Sequence, residues 1–494
     1  MDERAKIPVS LPSENPTQSY WQDPPDPIAD LRTTEQLPST ADTVIIGSGI
    51  TGAAVAWGLL QHSEPGPNPD GLGASIVMLE ARQACSGATG RNGGHTKAAS
   101  YRSFPAHAST LGVPAAAQIA QLELSNILAV HAFAREHGIP CDLEACNTVD
   151  IIYDEGDWAH ACAAVEAMRA ALPPGHPAAE YTLYSAEQAR ARFHVHDTHF
   201  GSKEEKVCGA VEYFAGSLSA YRFCVGVLRM CLDWGMNLQT GTPVVGLSRD
   251  VTATASTTDV VGGDGGDGVG AMWTVHTPRG AIRARRVVLA TNGYTARIVP
   301  RFQGVLVPLR GQITAQRPGT AMPNGGCLPT TYSFCYKKGY EYMITRPQGS
   351  RFAGDVIIGG GLAREPDEGL LEFGTTDDTA VNERISRYLR EATPRYFGSD
   401  WGDDDPAGRV RSEWTGIMGF SPDGFPFVGE VPGEKGLWAS CGFQGHGMVL
   451  CWMCARALVE MVEGRDNEQL RDWFPDTYRI TETRLAKKFE GRLH

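Results

Sequence analysis

The stretch "DTVIIGSGITGAAVAWGLLQ", residues 42 to 61, restricts this chain more than any other. An apolar β-branched run ends at Gly47, and a helical pattern begins immediately after Gly52. Between them lies Gly47-x-Gly49-x-x-Gly52. The first glycine permits a tight turn and the second lets a backbone approach a pyrophosphate. The third lets helix and strand pack closely. The helix start then offers unpaired N–H groups and a partial positive charge to phosphate. A second strand, "SIVMLE", closes a β-α-β unit after the proline- and glycine-rich insertion "SEPGPNPDGLGA". Glu80 ends that strand, where an acidic group accepts hydrogen bonds from ribose hydroxyls. Its distance from the glycines exceeds the usual ~20 residues, and the insertion accounts for the excess.

The same pattern at Gly263-Asp264-Gly265-Gly266-Asp267-Gly268 is a useful contrast. No helix follows it, and its aspartates repel phosphate, so it reads as a hairpin loop.

Three further glycine-rich loops accompany the β-α-β unit: "CSGATGRNGGH" at 85–95, "VVLATNGYT" at 287–295 and "GFQGHGM" at 442–448. A nicotinamide site needs little beyond the first unit, whereas FAD is long and must be gripped along its length. The last of the three loops precedes a helical run. It is expected to present N–H groups and a helix dipole to an electron-rich flavin carbonyl.

Bulk properties exclude several classes. The 494 residues allow two or three domains, and 42% hydrophobic with 20% charged residues describes an ordinary globular protein. A net charge of −13 repels phosphate backbones, so nucleic acid is not an expected partner. The start, "MDERAKIPVS", lacks a signal-peptide apolar core, and no run reaches the ~20 apolar residues of a membrane span. Twelve scattered cysteines suit a reducing compartment, and the expected location is cytoplasmic. Cys451-x-x-Cys454 sits in a helical run and reads as packing, because no second ligand pair follows it.

In order, "VIIGSGITG…MLEAR…CSGATGRNGGH…VVLATNGY…GFSPDGFPFVGE…GFQGHGM" resembles the D-amino-acid oxidase and sarcosine oxidase superfamily of FAD oxidoreductases. The nearest likeness is to its γ-glutamylputrescine-oxidase-like branch, with many fungal members, and it spans about residues 17 to 475. The resemblance implies an α/β fold with a Rossmann-like FAD-binding domain assembled from separated segments. A substrate domain with a mixed or antiparallel sheet and helices would roof the flavin. The expected division is an extended arm at 1–40, FAD-binding segments 41–110, 205–300 and 408–475, substrate segments 111–204 and 301–407, and a tail at 476–494. Tyr20 and Trp21 are expected to anchor the arm.

By position, the resemblance assigns Gly47, Ser48, Gly49, Ile50, Thr51, Gly52, Glu80, Ala81 and Arg82 to the ADP half of FAD. Val244 would meet the adenine, and Ala290, Thr291 and Gly293 would form another contact. Arg91, Asn92, Gly93, Gly94 and His95 would run beside the flavin ring, and Thr89 is a further cofactor-binding candidate in the same loop. Gly442, Phe443, Gly445, His446, Gly447 and Met448 would face its pyrimidine end. Tyr342 falls where relatives place an aromatic wall of the substrate pocket, and Tyr336 and Trp414 are further candidates for that pocket. His95, His446 and Tyr342 are the candidate catalytic residues. Lys97, Lys337 and Lys338 are possible sources of positive charge for oxygen activation, with solvated surface positions the favoured expectation.

The implied activity is FAD-dependent oxidation of a C–N bond in an amine or amino-acid derivative to an imine, with dioxygen reduced to hydrogen peroxide. Two alternatives stay open: a dehydrogenase that uses a quinone or carrier protein, and an FAD-binding protein without turnover. Three family features are absent. Met448 and Val449 stand where N-methyl amino-acid oxidases carry a carboxylate-binding lysine. "DVIIGGG" lacks the oxygen-activating lysine, and Gly416 replaces the flavin-linking cysteine of some relatives. Non-covalent FAD is therefore expected. A neutral or extended amine is expected over a short α-amino acid, because a buried carboxylate without a cation is costly.

Overall fold

The computed structural model of the protein describes residues 1–62, 75–249 and 272–489. The insertion at 63–74 and the Gly263–Gly268 pattern lie outside the described residues. The fold is mixed α/β, with two eight-stranded sheets and one two-stranded sheet among the described residues.

The first sheet grows outward from the strand Thr40–Ile46. Its apolar residues Val44, Ile45 and Ile46 are buried, as a strand covered on both faces requires. It pairs in parallel with Ile76–Leu79 on one side and Gly280–Leu289 on the other. Asn237–Gln239 and Leu437–Cys441 extend the sheet in parallel, and Phe427–Glu430 closes one edge antiparallel. Helix Ile50–His62 packs between Ala220–Asp233 and Cys451–Val462. The last crossing is close, since a Cβ on Gly58 would lie 2.9 Å from Val459. Cys451 and Cys454 are buried there, and all twelve cysteines are free thiols.

The second sheet runs Val410–Phe420, Val307–Gln316, Val356–Gly359, Gly339–Thr345, Thr331–Tyr336, Glu144–Ile152, Gly209–Ser217, Thr182–Ser185. Every pairing is antiparallel except that of Thr331–Tyr336 with Glu144–Ile152. Gly209–Ser217 and Val410–Phe420 therefore depart from the expected division, which grouped 205–300 and 408–475 with the FAD-binding segments. A strand's own pattern records which face is buried, not which distant strand completes its hydrogen bonds.

Local signals were realised where chemistry is local. Ser185 and Gln188, three residues apart in sequence, form a capping box at helix Ala186–Phe193. The final helix starts later than its loop: Gly447–Val449 is a 3-10 turn, and the α-helix begins at Cys451. The 442–448 loop thus leads into the helix without being its first turn. Among the described residues, no helix is long and apolar enough to cross a membrane.

Candidate active site

A cavity of about 620 Å³ runs between the two sheets, within the range typical of ligand sites. At one end, Gly47, Ser48, Gly49, Ile50 and Thr51 face Glu80, Ala81, Arg82, Thr242, Val244 and Arg297. Its middle is walled by Thr89, Arg91, Asn92, Gly93, Ala290 and Thr291. The other end holds His95, Lys97, Arg102, Tyr340, Tyr342 and His446, with Phe443, Gly445, Gly447 and Met448 alongside. Gly52, Gly94, Gly293 and Gly442 shape the loops from behind and are not part of the wall.

The glycine positions are steric requirements. Gly47 has φ of +105°, and a Cβ there would sit 2.6 Å from the Ala290 carbonyl oxygen. A Cβ on Gly52 would sit 2.0 Å from the Gly47 oxygen, so strand and helix meet only without side chains. Thr89 Oγ1 accepts from the Ile50 N–H at 3.0 Å, taking one of the free donors at the helix start. Glu80 accepts from Ser48 N–H and Oγ–H through Oε2, at 3.1 and 2.6 Å. Its Oε1 accepts from the Arg82 N–H at 3.0 Å, and both oxygens keep acceptor capacity.

Two groups in this wall carry buried polar atoms without protein partners: Arg82 Nε and Tyr294 Oη. Burial, then the nearby Asp378 carboxylate, pushes the Tyr294 phenol well above its ordinary range. Free donors beside a glycine cradle and an acidic strand end fit a polar dinucleotide such as FAD.

The loop at 85–95 is braced from outside. Trp21 Nε1 donates to the Asn92 carbonyl at 2.6 Å, and Ser19 Oγ donates to the Gly90 carbonyl at 2.7 Å. Arg91 is buried and donates to the Ser86 and Thr415 carbonyls at 2.8 and 2.9 Å. Burial lowers its pKa to about 10, helped by Arg82.

The far end is polar and densely connected. His95 Nε2 shares a 2.6 Å hydrogen bond with Thr331 Oγ1, while burial and then Lys97 hold its pKa well below the usual imidazole value. His446 is lowered to about 4 by burial, then Arg102 and Lys97. Both rings are neutral at pH 7. Tyr342 stands between Gly93 and Gly359, whose added Cβ atoms would lie 2.3 and 2.6 Å from its ring.

Lys97 corrects its expected place at the surface. The residue is partly buried, its side chain only 8% exposed, and it donates to Asp150 and Ser333. Asp150 also accepts from Tyr101 and Tyr213 at 2.8 and 3.1 Å. Lys337 and Lys338 are exposed, and Lys338 pairs with Glu368. Arg102, which sequence reasoning missed, lies 4.8 Å over the Tyr340 ring. No carboxylate among the described residues forms an ion pair with it. Only "HTKAASYR", continuing the glycine loop into helix Ser100–Leu111, hinted that these cations follow the cofactor loop inward.

Tyr336 and Trp414 do not line the cavity. Tyr336 donates to the buried Glu341 at 2.5 Å and lies under Arg364. Trp414 stacks on Tyr20 and donates to the Arg91 carbonyl at 2.7 Å. Tyr336 faces away from the cavity-lining Ser333 of its strand, and Trp414 is covered by Tyr20 and the Arg91 backbone, so both are packing residues.

The family model for FAD dependent oxidoreductases of the DAO type matches residues 42–461. The chain belongs to the DAO family. A similar DAO-type relative is the probable oxidoreductase OrdL of Rhizobium meliloti, 24% identical over 87% of this chain and 84% of that protein. A glycine oxidase of Pseudomonas aeruginosa is 28% identical over 39% of this chain and 45% of its own length. Among solved structures, glycine oxidase from Geobacillus kaustophilus superposes with a TM-score of 0.64 at 18% identity, covering 90% of this chain and 99% of that one. As a DAO-family member the protein is an FAD-dependent oxidoreductase. Among the described residues no side-chain cluster suits a metal ion.

Proposed function

We propose that the protein oxidises the C–N bond of an amine that also carries an anionic group, giving an imine, and that dioxygen takes the electrons to form hydrogen peroxide. The observation that carries this reading is Arg102, an exposed cation lining the cavity with no carboxylate at ion-pair distance among the described residues, Asp150 acting on it only from further off. A substrate carboxylate is its natural complement. The likeness to γ-glutamylputrescine-oxidase-like proteins agrees with an amine bearing a distant anionic end.

Bound flavin supplies the two-electron acceptor. The protein's part is orientation and charge. Lys97 and Arg102 disfavour a third positive charge, so a substrate amine loses its proton more readily here than in water. Neutral His95 and His446 can accept hydrogen bonds from that amine without repelling it. Tyr342 forms an aromatic wall that excludes water. The buried charge of Lys97 favours the negative charge that develops on dioxygen as it is reduced.

We also infer that FAD is held without a covalent bond. Gly416 offers no thiol, and His95 Nε2 is engaged with Thr331. Acid precipitation decides this: a yellow supernatant supports it, and a yellow pellet that turns colourless in His95→Ala overturns it.

The activity is tested by anaerobic flavin bleaching with paired substrates, each amine with a free carboxylate against its amide. Faster bleaching by the amides refutes the role of Arg102. An oxygen electrode follows turnover; a flat trace while an artificial quinone supports turnover identifies a dehydrogenase.

A further inference from the structure

The arm before the first strand does more than pack against the body. Met1, Leu11 and Pro12 line the same cavity as the glycine loops. Met1 packs against the hydrophobic cluster of Val307 and Leu309 that Met418 and Phe420 of the roof strands also join. Next to Pro12, the Ser13 carbonyl accepts from Arg82 Nη1 at 3.1 Å, within two residues of Glu80. The arm thus reaches from the roof of the cavity to its ribose-binding end.

We propose that residues 1–17 form an outer wall of the FAD site and set the rate at which the cofactor leaves. A ligand in the slot between the glycine loops and the roof meets this segment at Met1, Leu11 and Pro12, so its escape past them requires the segment to lift.

The tethers are numerous and lie outside the cavity. Arg4 donates to the Phe373 and Leu371 carbonyls at 2.5 and 2.8 Å. Gln303 Nε2 donates to the Ala5 and Ile7 carbonyls, each at 2.9 Å. Ser10 meets Thr376 at 2.5 Å, and the Thr17 N–H donates to the Asp378 carbonyl at 2.7 Å. Asp378 in turn pairs with the buried Arg82 at 2.8 Å. Arm, roof and cofactor wall are therefore one hydrogen-bonded unit. Each tether adds modestly in water, but all must break together for the arm to lift.

The test uses holoenzyme. FAD release is followed by the fluorescence gained on dilution, for the wild type, a variant lacking residues 2–16, and Arg4→Ala. Arg4→Ala cuts two tethers without touching the cavity. Far-UV circular dichroism checks that each variant stays folded. The truncation should speed release at least about tenfold, a change of about 1.4 kcal/mol in the barrier. Arg4→Ala should speed it about threefold or more, as loss of a net hydrogen-bond contribution of about 1 kcal/mol allows. Truncated release within about twofold of wild type overturns the proposal. So does tighter FAD binding after truncation, which would mean the arm competes for the slot. If the truncated chain does not fold, Arg4→Ala decides, and an unchanged release rate there overturns the proposal.

Discussion

Alanine at Gly93 places a methyl carbon 2.3 Å from Cε2 of Tyr342. Carbon atoms pack favourably at about 3.5–4.0 Å, so the ring must yield by more than ~1 Å. It has nowhere to go, since an added Cβ on Gly359 would meet Cζ and Oη at 2.6 Å. Gly93 is not among the positive-φ glycines, so alanine brings no left-handed strain and the effect is steric. Overpacking of this kind costs about 1–3 kcal/mol. The assay is urea unfolding of FAD-saturated protein for the wild type, Gly93→Ala, Tyr342→Ala and the double variant. In the wild-type background Gly93→Ala should lose about 1–3 kcal/mol; without the Tyr342 ring the same change should cost less than about 0.5 kcal/mol. Equal costs in both backgrounds would refute the idea that this glycine exists to seat the tyrosine.

Gly49→Val should abolish FAD occupancy, read as the ratio of flavin to protein absorbance, because even a bare Cβ there is 3.0 Å from Thr89 Oγ1 and a valine projects further into the phosphate cradle. Arg102→Met should raise KM for a carboxylate-bearing amine by about 10- to 100-fold, as loss of a charge-assisted bond worth about 1.5–3 kcal/mol implies, and leave the matching amide nearly unaffected; equal losses for both would contradict the clamp. His131 is buried, bonded to Thr96 at 2.9 Å, and held at about 4 by burial and then Arg135. The unfolded chain therefore binds more protons between about pH 6.5 and 4, and stability falls as the pH drops through that window. Denaturation of His131→Gln across that window should show a shallower pH slope, and an unchanged slope would place the titration elsewhere.

Much of the cofactor end was legible without coordinates. Gly47 and Gly52 are demanded by contacts within one turn and one neighbouring strand, and such local constraints leave a fixed spacing in the chain. Glu80 follows from the same unit because a strand end is a position along the chain. The other end of the cavity was decided by tertiary structure. Whether Lys97 is a solvated charge or a buried one depends on Asp150 and Ser333, far away in sequence. Trp414 and Tyr336 resemble pocket aromatics in composition, but the partners Tyr20 and Glu341 hold them in the core. Gly209–Ser217 joined the second sheet through its pairing with Glu144–Ile152, which no local pattern encodes. Backbone permissiveness is a property of one residue and its neighbours, so it can be read along the chain. The environment of a charge or a ring is made by whatever the fold brings against it, and only the folded chain contains that information.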